Sequence, residues 1–165
     1  MYKRQQLDRF LVRVTVGYPE REEELEILRR RAVRGTDEVQ IEAIVGREQL
    51  LAMQQAVERV HAAQSVGYYI VDLVAATRAH TAVQVGASPR GTLALLKLAR
   101  ARAALRGRDY ITPDDVKQVA VAALAHRLVL RPEVWVQRVD GVAVIGACLA
   151  SVPVPAAEPD DRREP

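Results

Sequence analysis

Ahead of Tyr18 the chain alternates, with Phe10, Val12, Val14 and Val16 on one side of the pattern and Leu11, Arg13 and Thr15 on the other. A period of two among β-branched residues predicts a strand over Phe10 to Val16. One strand cannot pair its own backbone, so the segment calls for a partner near residues 134–139 or for self-association of the chain. After Gly17 the period changes to that of helices. Pro19 opens a helix over Glu20 to Arg31, with acids in its first turn and bases in its last, and Gly35 ends it. Residues 36–46 read as extended. Further helices are predicted over about 47–60, with Leu50, Met53, Val57 and Val60 at core spacing, over about 64–78, and over about 88–106.

The clearest local signal follows them. Thr112 is an N-cap, Pro113 takes the first helical position and Asp115 the capping-box slot; Val116, Val119, Ala120, Ala123 and Leu124 then trace one apolar face. Leu128 to Pro132 breaks this pattern, and Glu133 to Leu149 fits either a strand or a helix. Pro153 to Pro165 is rich in proline and charge and is expected to be a disordered tail. The helices should pack around Leu25, Leu28, Ile70, Leu73, Leu93, Leu96, Val116 and Val119. They should do so without the strand, so that a chain beginning near Tyr18 stays monomeric and helical.

Composition narrows the class. The chain has 165 residues, 49% of them hydrophobic but only 4% aromatic, so its core must be built from Leu, Val, Ile and Ala. A net charge of +3 raises the question of nucleic acid. The arginines, however, are interleaved with Glu and Asp along the chain, which suits solvated helix faces better than a phosphate-tracking stripe. A single cysteine, Cys148, excludes an intramolecular disulfide and sits in an apolar run as a buried small hydrophobe. A reducing cytoplasm fits this usage, and no run reaches the roughly 20 apolar residues of a membrane span.

The candidate chemistry is sparse. His61, His80 and His126 are far apart, with no second ligand at metal spacing, and no nucleophile is coupled by spacing to a base. Gly86 and Gly91 reproduce the glycine spacing of a P-loop, but Thr92 stands where its lysine belongs, so this is no Walker A motif. What the segment does offer is Ser88 as N-cap, Pro89 at the first helical position and Arg90 in the first turn, beside free N–H groups that favour anions. Arg90 is either a phosphate reader or an exposed arginine on a capped helix. Arg9, in Gln6-Leu-Asp-Arg-Phe-Leu11, is likewise either functional or an exposed residue at a strand entry.

Order and spacing give these residues a context. Asp8-Arg9-Phe10 before a strand, a Gly17-Tyr-Pro19 helix start, Gly86-Ala-Ser-Pro-Arg90 and Asp109-Tyr-Ile-Thr-Pro-Asp-Asp-Val116, in this order, resemble the C-terminal part of MoxR-type AAA+ ATPases, and Ala150 to Pro155 resembles the end of that family. The resemblance covers roughly residues 6–155, while Met1 to Gln5 depart from it. It implies a mainly α fold: an AAA+ helical lid bundle over 18–152, preceded by a strand left over from the α/β ATPase core within 1–17, and followed by a tail over 153–165. It also implies that Arg9 is an arginine finger acting on a neighbouring subunit's nucleotide and that Arg90 is the sensor-2 arginine.

The partners implied are ATP, Mg2+ and the other subunits of a homo-oligomeric, hexameric ring, with chaperone-like remodelling of client proteins or cofactor insertion as the activity. Walker A, Walker B and sensor-1 residues are not in this sequence, so it is expected to be a partial sequence that neither binds nucleotide tightly nor hydrolyses it alone. The alternative is a free-standing helical protein-interaction module without nucleotide binding.

Overall fold

The computed structural model describes residues 7–135 and 139–156. Its elements are α1 (Arg21–Arg34), α2 (Arg47–Glu58), α3 (Gln64–Ala79), β1 (Val83–Val85), α4 (Pro89–Leu105), α5 (Pro113–Leu124), β2 (Val129–Leu130) and α6 (Gly141–Ser151). The chain divides into two compact units, one of residues 14–52 and one of residues 1–13 with 53–165.

In the smaller unit, α1 starts at Glu20, where a capping box joins Glu20 to Glu23, and stops at Gly35, whose φ of 72° is left-handed backbone suited to glycine. No residue of α1 is buried. Leu25 and Leu28, expected in the core, are therefore exposed.

The larger unit holds the core. Tyr69, Ile70, Leu73 and Val74 of α3 meet Leu95, Ala99 and Ala103 of α4, Val116, Ala120, Ala123 and Leu124 of α5, and Val144, Ile145 and Cys148 of α6. Each set recurs at three or four residues, which keeps it on one helix face. The alanines let helix backbones approach, and α4 and α5 form the most extensive helix pair. Leu93 was expected inside but is 58% exposed, and Leu95 is inside instead. The helix face is set by Gly91, where a Cβ would lie 3.0 Å from Leu124 Cδ2. Leu50 and Met53 are also exposed, whereas Val60 is buried.

Local chemistry fixes the ends. Thr112 caps α5 by accepting from the Asp115 amide, and the Asp115 carboxylate accepts from the Thr112 amide in return, as the sequence predicts. Asp140 caps α6, which resolves the ambiguity over residues 133–149 in favour of a helix from Gly141. A Cβ on Gly141 would lie 2.6 Å from the Ala125 carbonyl oxygen, so only glycine permits this approach.

The expected strand over Phe10 to Val16 does not form; these residues belong to no sheet. Residues near 134 supply no partner either, since Pro132–Trp135 is a short tight helical turn and 136–138 lie outside the described residues. The sheet is elsewhere: β1 pairs antiparallel with β2, Val83 opposite Leu130 and Val85 opposite Val129. The Asp8 and Phe10 carbonyls are taken by side chains, as described below. Of the expected tail, residues 153–156 carry no regular structure and 157–165 lie outside the described residues.

Candidate functional site

The pairing of β1 with β2 builds the site. Val85 ends β1 and leads through Gly86 to the start of α4, while Val129 begins β2 two residues after Arg127. The sheet thus sets Arg127 beside the Ser88–Arg90 turn. The turn is fixed from below by α3. Thr77 Oγ1 donates to the Val74 carbonyl at 2.7 Å and accepts from the buried Ala87 amide at 3.0 Å, and Arg78 Nε donates to the Ala87 carbonyl at 2.8 Å. A Cβ on Gly86 would lie 2.7 Å from the backbone of Arg78, and that close approach is what the glycine is for. Gly86 and Gly91, spaced as in a P-loop, are packing glycines here.

Ser88 caps α4, its hydroxyl accepting from the Arg90 amide at 3.3 Å, with Pro89 in the first turn. The same hydroxyl donates to the Asp8 carboxylate at 3.2 Å. An anion does stand near this helix start, where the positive dipole end favours one, and it is the Asp8 carboxylate, held by the Ser88 hydroxyl. Arg90 is on the first turn with its side chain 66% exposed, and its Nη1 comes only to 3.9 Å from Asp8 Oδ2. Most of its hydrogen-bonding capacity faces outward.

Arg127 holds the other side of Asp8. Its side chain is 2% exposed, with Nε donating to the Ala123 carbonyl at 2.7 Å and Nη1 to Asp8 Oδ1 at 2.9 Å. Nη1 also donates to the Asp8 carbonyl, and Nη2 donates to the Phe10 carbonyl at 2.7 Å. His126 Nε2 lies 3.2 Å from the same Phe10 oxygen, and the Arg13 amide donates to the Ala122 carbonyl at 3.0 Å. A buried guanidinium is tolerated because every bond it makes ends on a carbonyl or a carboxylate.

Arg9, between the two clamped carbonyls, is exposed and makes no hydrogen bond or ion pair among the described residues. The structure therefore gathers both sequence candidates at one place, Arg9 in the clamped segment and Arg90 opposite Asp8. With the Asp8 carboxylate paired to the buried Arg127, the exposed Arg9 and Arg90 remain open to an anion from outside. Sequence reasoning missed Arg127, Asp8 and Thr77 as site-building residues. The available signal was an arginine set among Leu124, Leu128, Val129 and Leu130, since a cation in an apolar run needs a partner.

A second charged cluster is structural. Asp115, 2% exposed, receives both Arg108 amino groups at 2.7 and 2.8 Å, the Thr112 amide at 2.9 Å and the Thr112 hydroxyl at 2.8 Å. Burial raises its pKa, and these hydrogen bonds together outweigh burial, holding the carboxyl down at about 2. Cys148 is buried, and burial pushes its thiol up, which suits a packing role. Among the described residues no three His, Cys, Asp or Glu side chains converge on a metal position, and no helix is long and apolar enough to cross a membrane.

The AAA lid domain family matches residues 75–145, a span that contains Arg90, Asp115 and Arg127. The chain is 39% identical over 150 residues to the uncharacterized protein YeaC of Bacillus subtilis, covering 91% of this chain and 47% of that protein. It is 36% identical over 159 residues to the chaperone MoxR1 of Mycobacterium tuberculosis, covering 91% of this chain and 41% of that protein. The crystal structure of a Cytophaga hutchinsonii protein assigned as an ATPase superposes with a TM-score of 0.82 at 30% identity, over 93% of this chain and 49% of that one. The chain spans about half the length of the relatives it matches.

Proposed function

The chain belongs to the MoxR-type AAA+ proteins, whose lid region it carries, and on that footing we propose that it serves ATP hydrolysis in a ring-forming, cytoplasmic chaperone-like ATPase. In this reading residues 18–152 are the lid, and the segment before them joins the lid to a nucleotide-binding core. Arg9 is the arginine finger that reaches a neighbouring subunit's ATP, and Arg90 is the sensor-2 arginine. ATP with its Mg2+ is the substrate. In this reading the Mg2+ ligands are assigned to the nucleotide-binding core. Cofactor insertion or remodelling of a client protein is the use made of the cycle.

The observation that carries this reading is that Asp8 links two exposed arginines, Arg9 as its chain neighbour in the clamped segment and Arg90 at 3.9 Å from its carboxylate. During phosphoryl transfer negative charge spreads over the γ-phosphoryl oxygens, and a guanidinium placed there stabilises that charge more than it stabilises bound ATP. Arg90, held to Asp8 only at 3.9 Å, is free to turn toward such a phosphate. Arg9 has no competing partner at all among the described residues.

The test is steady-state hydrolysis by the full-length protein. Arg9→Ala should lower kcat by about 10³-fold or more, the range of an arginine finger, with ATP affinity changed by no more than a few-fold. Arg90→Ala should also lower kcat. Parental turnover in both variants would overturn the assignment.

A further inference from the structure

We propose that Arg127 is a positioning residue for Arg9: its buried guanidinium holds the backbone on both sides of the finger in the geometry that presents Arg9 to a neighbouring phosphate. The inference rests on the reading of Arg9 given above. Arg127 touches neither substrate nor the reacting atoms.

Three features of the geometry single it out. One side chain donates to the carbonyls of residues 8 and 10, immediately before and immediately after Arg9, and also to the Asp8 carboxylate. Asp8 and Arg9 form a turn directly after Leu7, and residues 10–16 form no strand, so no sheet partner takes the carbonyls of residues 8 and 10. The guanidinium is itself immobilised, because Nε is tied to the Ala123 carbonyl of α5 and the side chain is buried to 2% exposure. The planar fork is the reason for arginine here. Lysine has a single ammonium point and cannot span two carbonyls two residues apart while still bonding Ala123.

The consequence is kinetic. A finger contributes only if its guanidinium sits where the transferring charge develops, and a displacement of about 1 Å costs on the order of 10²-fold. Releasing the Asp8 and Phe10 carbonyls lets the segment move without removing Arg9, so turnover falls while substrate binding, which does not use the finger, holds. Arg127 acts through Arg9, so its loss should matter only while Arg9 is present.

Two measurements test this. In the full-length ATPase, Arg127→Gln and Arg127→Lys should each lower kcat by about tenfold or more, with KM for Mg-ATP unchanged within about twofold. Added to Arg9→Ala, Arg127→Gln should cause no further loss, as expected for residues that act as a unit. A fully multiplicative loss in the double variant, or a rise in KM as large as the fall in kcat, would overturn the proposal and assign Arg127 to general stability. In the 165-residue chain, hydrogen exchange reads the clamp without any reaction. The Phe10 and Arg13 amides, bonded to the Leu7 and Ala122 carbonyls, should exchange about tenfold faster in Arg127→Gln, with amides of α3 unchanged. Unchanged exchange at Phe10 and Arg13 would overturn the clamp itself. If Arg9→Ala alone leaves kcat intact while the exchange result holds, the clamp stands and it is the finger assignment that fails.

Discussion

Arg127 Nη1 lies 2.9 Å from Asp8 Oδ1, an ion pair between residues 119 positions apart, and it makes the first described residues part of the larger helical unit. The sequence pattern suggests instead that the helices fold without this segment. The structure makes the segment a structural partner, because without it Arg127 keeps only the Ala123 carbonyl.

The first prediction follows from that pair. Asp8→Ala leaves a buried guanidinium short of its carboxylate and removes the acceptor of the Ser88 hydroxyl. Allowing for the 29% exposure of Asp8, unfolding free energy should fall by about 1–3 kcal/mol. Urea denaturation of the 165-residue chain measures it; an unchanged midpoint would mean that solvent replaces the carboxylate at no cost.

Thr77 supports the loop that carries Arg90. Thr77→Val keeps the shape and removes the acceptor of the buried Ala87 amide, so it should cost about 1–3 kcal/mol, while Thr77→Ser should cost less. Equal stabilities of the Val and Ser variants by thermal unfolding would show that the hydroxyl contributes nothing.

Gly86→Ala places a methyl 2.7 Å from the Arg78 backbone, in space that cannot open without shifting α3 or the loop. Overpacking of this kind costs about 1–3 kcal/mol. The same variant should displace the start of α4, seen as chemical-shift changes at Ser88 and Arg90. Unchanged stability and shifts would contradict the close approach.

Asp115 carries a pH dependence. Its folded pKa of about 2 lies below the ordinary 3.8, so its stabilisation is complete above that ordinary value and is lost as pH falls through about 2. The shift corresponds to about 2 kcal/mol. Asp115→Asn should therefore be less stable than the parent at pH 6, with the gap narrowing between pH 4 and pH 2. A gap independent of pH would assign the effect to packing.

The helices and their caps were legible because local propensity, capping and periodicity agree there, as at Thr112, Pro113 and Asp115 or at Ser88 and Pro89. Arg9 and Arg90 were legible as isolated arginines in suggestive settings. Their proximity was not, since it depends on β1 pairing with β2 and on Arg127 reaching across 119 residues, contacts that no local pattern encodes. The strand expected over Phe10 to Val16 misled for a related reason: alternation records which residues could pair, but the carbonyls of residues 8 and 10 are satisfied by an arginine side chain. Leu93 misled because the register of α4 is set by Gly91 against Leu124, and a missing side chain leaves no hydrophobic signal.

The central claim is that Arg9 completes a neighbour's ATP site, and subunit mixing in the full-length ring tests it most directly. One subunit type carries Arg9→Ala with an intact nucleotide site, and the other keeps Arg9 but lacks the phosphate-binding lysine of its own core. Each should be inactive alone. Mixed rings place an intact finger beside an intact site and should recover a substantial fraction of parental turnover, rising with mixing ratio to a maximum near equal amounts. Mixed rings no more active than the two parents separately would contradict the account.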